Sequence, residues 1–299
     1  MPEMRENPQI TAYFDEPTNT VSYLVADPAT RKAAVIDPVL DYDQRKGKVS
    51  VTSARKILDD AEARGLDIVW ILETHAHADH LTAAPYIKAK TGAKIATGEY
   101  IGEVQAVFRK MFNLDDVSVT GAEFDRLLKD GEKIELGGME IEVLHTPGHT
   151  PSCVSFHVGD AVFVGDTLFM PDYGTARTDF PGGDAATLYR SIKRILSLPP
   201  QTRLFLCHDY KGPGRNHYVW ETSVAEQRAD NVHIHDGIAE DAFVAMRKAR
   251  DATLAAPLLL LPSIQVNIRA GYLPKPESNG VHYLKTPLKM DDELEKSIR

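Results

Sequence analysis

The segment from Asp67 to His80 predicts a buried strand that runs directly into a cluster of histidines. Its first part, DIVWIL, is a continuous apolar run of strand length, which is typical of a strand covered on both faces. The chain continues as ETHAHADH, so His75, His77, Asp79 and His80 follow the carboxyl end of that strand. Because four such groups are costly to bury without a counter-charge, the segment predicts a bound metal ion.

Other polar side chains also follow apolar runs further along the chain. His145 and His149 lie in LHTPGHT, Asp166 ends VFVGD, and His208 follows LFLC. Any one histidine alone is more often a structural residue than a ligand. Taken together, imidazoles and a carboxylate at strand ends, with a glycine before Asp166 and another before His149, predict a transition-metal site where the strand ends converge.

The remaining pattern predicts an α/β (α+β) protein. Helical periodicity occurs in SVTSARKILDDAEARG, HLTAAPYIKAKTG, EYIGEVQAVFRKMFN and AATLYRSIKRILSLP, and again over Glu221 to Asp230 and Ala239 to Leu254. EKIELGGMEIEVLH and CVSFHVGDAVFVGD alternate as strands joined by Gly-Gly and Gly-Asp turns, which predicts hairpins. Residues after Ala255 are Pro-rich and show little periodicity. Strands paired with helices in both halves predict a layered α/β/β/α sandwich.

Composition excludes several classes of function. The 299 residues carry a formal net charge of -9 and no block of Lys or Arg, which argues against a nucleic-acid partner. The longest apolar cluster, LAAPLLLLP, is too short and Pro-broken to span a membrane. Only Cys153 and Cys207 are present, so no disulfide framework is expected, and we expect a cytoplasmic protein. Each cysteine is expected to be buried and inert, with a redox role as the alternative.

The order of these blocks resembles the metallo-β-lactamase superfamily. H-x-H-x-D-H is followed by a single histidine, then by an aspartate after VFVG, then by His-Asp, over roughly Ile10 to Tyr210. The resemblance implies a fold of two mixed β-sheets flanked by helices, in a catalytic domain over residues 1–255. It leaves residues 256–299 as an extension packed on that domain or on a neighbouring subunit. The ligands implied are His75, His77 and His149 at a first metal, Asp79, His80 and His208 at a second, and Asp166 at both. His145 falls outside the pattern and is expected to support the site or the fold.

Within the superfamily the chain looks most similar to the persulfide dioxygenases, which are related to glyoxalase II. TPGHTPSCVSF, TARTDFPGGDAATLYRSI and HDYKG carry this likeness. It implies one Fe(II) per chain, held by His75, His149 and Asp166, with open positions for substrate and O₂. The reaction implied is oxidation of glutathione persulfide, or of a similar small thiol persulfide, to sulfite and free thiol. The remaining donors would then orient ligands or move protons, with His208 taking part in catalysis: His77, Asp79, His80 and His208.

Because glutathione carries two carboxylates, its site is expected to contain cations. Arg177 matches an arginine of the family that contacts glutathione, and the alternative is a loop-fixing ion pair to Asp179 or Asp172. Tyr210 is a second candidate substrate contact, with simple packing as the alternative. The weaker candidates are Thr150 and Arg269.

Two other kinds of function remain open at this level. A hydrolase with one or two Zn(II) ions, acting on a glutathione thioester or a lactone, would use the same ligands. The chain after Asp230 lacks the basic character of a glyoxalase II substrate domain, and no cysteine follows Cys207 to serve a fused sulfurtransferase. A metal-sensing module without turnover would require a disrupted ligand set, and a nuclease is disfavoured by the acidic charge. A homodimer is expected from the long tail.

Overall fold

The computed structural model describes residues 7–298 and contains two large mixed sheets. The first sheet has the order β1-β2-β3-β6-β8-β9 and comprises β1 (Gln9–Asp15), β2 (Thr20–Ala26), β3 (Lys32–Ile36), β6 (Asp67–Leu72), β8 (Lys94–Gly98) and β9 (Arg126–Leu128). The second has the order β10-β11-β12-β13-β14-β15 and comprises β10 (Lys133–Leu136), β11 (Met139–His145), β12 (Val154–Val158), β13 (Ala161–Phe163), β14 (Arg203–Phe205) and β15 (Glu221–Ser223). A small third sheet joins β4 (Val39–Asp43), β5 (Lys48–Ser50) and β7 (Leu81–Thr82).

Each large sheet combines antiparallel and parallel pairs. In the first sheet β1, β2 and β3 are antiparallel neighbours, whereas β3, β6, β8 and β9 run parallel. In the second sheet the single parallel pair joins β13 to β14. The predicted hairpins are confirmed as β10 with β11 and β12 with β13.

Residues 7–298 contain eight helices, several of which cover the outer faces of the two sheets. They are α1 (Thr52–Ala63), α2 (Ala84–Thr91), α3 (Ile101–Phe112), α4 (Ala185–Ile195), α5 (Val224–Asp230), α6 (Glu240–Asp251), α7 (Leu260–Asn267) and α8 (Asp292–Ile298). Side chains such as Tyr23, Trp70 and Phe156 form one apolar core between the sheets, and two further cores lie beneath the helices. The predicted α/β/β/α layering is therefore confirmed. No helix within residues 7–298 is long and apolar enough to cross a membrane.

Two local predictions were wrong at their boundaries. Residues Glu221–Ser223 were predicted to be helical, but they form β15, antiparallel to β14. The helix begins only after Ser223, whose hydroxyl accepts a hydrogen bond from the amide of Glu226 in a capping box. Similarly, Leu81–Thr82 forms β7, and α2 starts at Ala84. In both places a short edge strand directly precedes a helix, so the helical pattern was extended too far toward the N-terminus.

The segment after Ala255 also contains a buried helix that periodicity did not indicate. Helix α7 buries polar as well as apolar side chains, including Ser263, Gln265 and Asn267. Because a helix that is buried on most sides has no polar stripe, it lacks the amphipathic pattern used for prediction. It packs against α3 and β7, which places it beside the histidine cluster.

Candidate metal centre

The candidate metal centre is built where strands of the two sheets end. β6 leads into the segment of His75, β11 into that of His149, β13 into Asp166, and β14 into His208. Two glycines allow the close approach. Gly148 has φ of +134°, and a Cβ there would lie 2.4 Å from the backbone of α4. Gly165 has φ of +52°, and a Cβ there would lie 2.7 Å from the Thr74 side chain, so only glycine fits these positions without strain.

His75, His149 and Asp166 form a compact group of three donors. One ligand atom from each lies within 4.8 Å of the others, and His149 Nε2 lies 3.6 Å from Asp166 Oδ2. The Nδ1 of His149 lies 2.8 Å from the carbonyl oxygen of Arg177. Donation to that carbonyl fixes the tautomer and leaves Nε2 with a free lone pair, which is the usual arrangement of a metal-binding histidine.

The other predicted donors adjoin this group. His77, Asp79 and His80 form a second group, and Asp166, Cys207 and His208 form a third. Asp79 and His208 make close contact, with His208 Nε2 lying 3.3 Å from Asp79 Oδ2 and 3.4 Å from Asp166 Oδ1. The structure therefore brings together all seven residues that the superfamily pattern implies as ligands.

Five imidazole nitrogens in the cluster are buried without a hydrogen-bond partner: His75 Nε2, both ring nitrogens of His77, His80 Nε2 and His208 Nε2. Buried polar atoms are nearly always satisfied, so unpartnered nitrogens that face one cluster indicate a missing ligand. Burial lowers the pKa of His75 well below its ordinary value, and the neighbouring His77 and His149 lower it further. A neutral His75 keeps the lone pair that a metal needs, so these residues fit a metal ion.

The buried carboxylates of Asp37 and Glu73 contact the imidazole of His77, and neither was predicted from the sequence. Its Nε2 lies 3.0 Å from Asp37 Oδ1 and 3.4 Å from Glu73 Oε2, as ion-pair contacts rather than well-aligned hydrogen bonds. Burial lowers the pKa of His77, but the charges of Asp37 and Glu73 outweigh it and hold the pKa well above its ordinary value. Asp37 directly follows the buried strand β3, and Glu73 directly follows the buried strand β6. Their position at strand ends is the same signal that predicted the other donors.

A cavity of about 580 Å³ opens over the cluster. Asp79, His149 and Asp166 lie in its lining, which is otherwise rich in aromatic and aliphatic side chains such as Phe169 and Leu258. Four cations also line it, namely Arg45, Arg177, Arg247 and Arg250. A mostly apolar cavity with a few polar groups above a metal cluster is the usual form of a small-molecule site.

Two of the four candidate substrate residues line this cavity. Arg177 does, but its guanidinium makes a two-pronged ion pair with Asp179 at 2.6 and 2.7 Å and donates to Ala255 O at 2.7 Å. The loop-fixing alternative for Arg177 is thus present, with Asp179 as the partner. Tyr210 lines the cavity and stacks on His208 with ring centroids 5.4 Å apart.

The other two candidates lie elsewhere in the described part of the chain. The Thr150 hydroxyl is buried 3.0 Å from Cys153 Sγ. Arg269 is buried and ion-paired with Asp116 at 2.7 Å, outside the cavity lining. His145 also stays outside the metal-binding groups, and its Nε2 lies 2.9 Å from the carbonyl of Pro151.

Comparison with known proteins agrees with this geometry. A family model described as the metallo-beta-lactamase superfamily matches residues 15–208. The chain belongs to the metallo-β-lactamase superfamily. With this fold, the His/Asp cluster marks it as a metal-binding enzyme of that superfamily.

Relatives within the superfamily are named as a metallo-hydrolase, a glyoxylase and a persulfide dioxygenase. A "probable metallo-hydrolase" from Burkholderia pseudomallei is 52% identical over 93% of this chain and 98% of its own length. "Glyoxylase B2" from Dictyostelium discoideum is 46% identical over 95% of this chain and 98% of its own. A mitochondrial persulfide dioxygenase from Bos taurus is 32% identical over 67% of both chains. Among solved structures, ETHE1 from Myxococcus xanthus has a TM-score of 0.70 at 29% identity, over 88% of this chain and 100% of that one.

Proposed function

We propose that this protein is a persulfide dioxygenase that uses one Fe(II) to oxidise glutathione persulfide. The persulfide, O₂ and water give glutathione, sulfite and two protons, so the terminal sulfur is oxidised and O₂ is reduced. Iron supplies the one-electron chemistry that O₂ requires and that amino-acid side chains lack.

The arrangement of His75, His149 and Asp166 carries this proposal. Their ligand atoms lie within 4.8 Å of one another, and His149 and Asp166 line the cavity. Two histidines and one carboxylate that leave open positions are the ligand set of non-haem Fe(II) oxygenases.

Two of the comparisons support this proposal. The structural likeness to ETHE1 from Myxococcus xanthus spans the whole of that chain, and the persulfide dioxygenase relative exceeds 30% identity. We extend the activity in that relative's name to this chain as part of the proposal.

The cavity offers two cations without an ion-pair partner in the described residues for the carboxylates of glutathione. Arg177 is paired with Asp179, and Arg247 is buried and paired with Asp251 at 2.7 Å. Arg45 and Arg250 line the cavity, and within residues 7–298 neither guanidinium has a hydrogen-bond or ion-pair partner. These two side chains are therefore placed to receive the substrate carboxylates, while the apolar wall contacts the rest of the molecule.

Asp79 and His208 are placed to take up the protons that the reaction releases. Asp79 lines the cavity, and His208 Nε2 lies 3.3 Å from its Oδ2. A carboxylate and an imidazole in contact form a short route that moves protons away from the reacting sulfur.

A second candidate function is a two-zinc hydrolase acting on a thioester or lactone. It is favoured by the unpartnered Nε2 atoms of His80 and His208, which suit a second metal, and by the hydrolase name of the 52%-identical relative. Two zinc ions would supply an activated water for attack on a carbonyl.

One pair of assays separates the two proposals. Metal-free protein is loaded with Fe(II) or with Zn(II), and each form is offered glutathione persulfide and S-lactoylglutathione. We expect O₂ uptake and stoichiometric sulfite from the iron form with the persulfide, and little hydrolysis by either form. Rapid thioester hydrolysis by the zinc form, with no O₂ uptake by the iron form, would overturn the dioxygenase proposal.

A further inference from the structure

The side chain of Asn267 is bound to the loop that presents the metal-binding residues. Its Nδ2 donates to the carbonyl oxygens of His77 at 2.8 Å and His80 at 2.7 Å. Its Oδ1 accepts from the amide of Thr82 at 2.9 Å. Asn267 is only 4% exposed, so these three bonds form where water cannot replace them.

The three bonds use both donors of this amide and one of the two acceptor sites on its oxygen. Both N–H groups of Nδ2 donate to carbonyls, and Oδ1 accepts one backbone amide, so an Asn side chain matches the loop. An aspartate would place a negative oxygen against two carbonyls, and an alanine would leave two carbonyls and one amide without partners. Leaving buried polar groups unpaired is costly, so neither substitution preserves the loop geometry.

The bonded carbonyls belong to residues whose side chains form the cluster. His77 and His80 flank Asp79, and all three fall in one of the metal-binding groups. Fixing the backbone at both ends of this short segment fixes the direction in which the three side chains leave it. Displacements of well under an ångström at such a segment are enough to spoil metal geometry.

The hydrogen-bond network of Asn267 extends through Thr82 to the carboxylate of Glu73, which contacts His77. The Thr82 hydroxyl donates to Glu73 Oε1 at 2.5 Å, and Glu73 Oε2 lies 3.4 Å from His77 Nε2. Asn267 thus acts on His77 from two sides, directly through its carbonyl and indirectly through Thr82 and Glu73.

Asn267 lies outside the residues that the family model matches, and contacts with other parts of the fold hold it in place. It is the last residue of α7 and lies well beyond residue 208, where the family model ends. The next residue, Ile268, accepts a hydrogen bond through its carbonyl from Gln105 Nε2 of α3 at 2.9 Å. The segment is therefore anchored independently of the loop, so it can set the loop's position rather than follow it.

We propose that Asn267 is a positioning residue of the metal centre, and that the centre is incomplete without the segment carrying α7. The inference concerns metal binding and does not depend on whether the reaction is oxidation or hydrolysis.

The test compares Asn267→Asp and Asn267→Ala with Gln265→Ala as a matched control. Gln265 lies on the same buried helix, but its amide bonds to Leu261 and Lys285, away from the cluster. Three quantities are measured for each variant: unfolding free energy without metal, Zn(II) affinity by chelator competition, and the visible spectrum of the Co(II) form.

We expect both Asn267 variants to lose roughly 10- to 100-fold in Zn(II) affinity, and their Co(II) spectra to change. Gln265→Ala should lose stability but keep Zn(II) affinity within about twofold and an unchanged spectrum. If Asn267→Ala does not fold, Asn267→Ser is measured in its place. Its hydroxyl keeps part of the bonding, so its Zn(II) affinity should lie between those of the wild type and Asn267→Asp. Zn(II) affinity and Co(II) spectra matching those of Gln265→Ala would overturn the proposal, whatever the outcome of the activity assays.

Discussion

The thiol of Cys207 donates a hydrogen bond to Oδ1 of Asp166 across 2.7 Å. Burial raises the pKa of Cys207 well above its ordinary value, and the charge of Asp166 raises it further, so the thiol stays protonated and remains a donor. One carboxylate oxygen of Asp166 is thereby engaged, while the other lies 3.6 Å from His149 Nε2. This contact favours a single metal beside His149 over a carboxylate shared between two.

Removing that thiol is expected to favour a second metal. In Cys207→Ala, Oδ1 of Asp166 loses its donor and becomes available as a ligand, so zinc loading should rise from near one toward two ions per chain. Cys207→Ser restores an O–H donor and should return the content to the wild-type value. Metal content by plasma emission after zinc loading checks this. Equal content in the wild type and Cys207→Ala would contradict the role assigned to the thiol.

The histidines of the cluster should differ in their effect on iron. His149→Ala removes a ligand of the proposed iron and should bind it at least tenfold more weakly, since a three-ligand site cannot hold Fe(II) well with two. His80→Ala removes only a neighbouring donor and should keep near one iron per chain with reduced turnover. Iron content after desalting distinguishes the variants, and equal iron loss in both would argue for a shared two-metal site.

Arg45 and Arg250 should affect substrate binding rather than chemistry. Replacing either by Ala is expected to raise KM for glutathione persulfide about fivefold with kcat unchanged, because an exposed ion pair is worth about 1 kcal/mol. Lys248→Ala, on the same helix as Arg250 but outside the cavity lining, is the control. Steady-state O₂ uptake gives both constants, and an unchanged KM in both arginine variants would remove them from the substrate site.

Acid should destabilise the fold through His233. Burial lowers its pKa from 6.5 to about 4, with Arg247 and Arg250 adding to the effect, and its Nδ1 accepts from the amide of Thr175 at 3.0 Å. As the pH falls below 6.5, the imidazole of His233 binds a proton in the unfolded chain but not in the folded chain. The free energy of unfolding therefore falls as the pH approaches 4.

The matched variant for that test is His233→Asn, which keeps an acceptor but does not titrate. Because His233 is only partly buried and solvent screens its surroundings, metal-free wild type should lose roughly 1 to 2 kcal/mol more unfolding free energy than His233→Asn between about pH 7.5 and pH 4.5. Denaturant melts at the two pH values measure the difference. Parallel losses in the two proteins would show that His233 is not the group responsible.

Much of the site was predictable because its ligands obey a simple geometric rule. His75 and Asp166 follow apolar runs, and apolar runs become buried strands whose ends meet at a sheet edge. Asp37 obeys the same rule but was missed, since a single aspartate before proline also reads as a turn. Contacts between distant segments could not be predicted, because a local pattern does not specify which segments meet. Asn267 near His77 and Arg269 paired with Asp116 are both of this kind.

We propose that one iron per chain supports oxidation of a persulfide. The most direct measurement titrates metal-free protein anaerobically with Fe(II) and records the initial rate of O₂ uptake on glutathione persulfide after each addition. We expect a linear rise that breaks at one equivalent per chain, with sulfite formed in step with O₂ consumed. A break at two equivalents, or no O₂ uptake at any iron content, would contradict it.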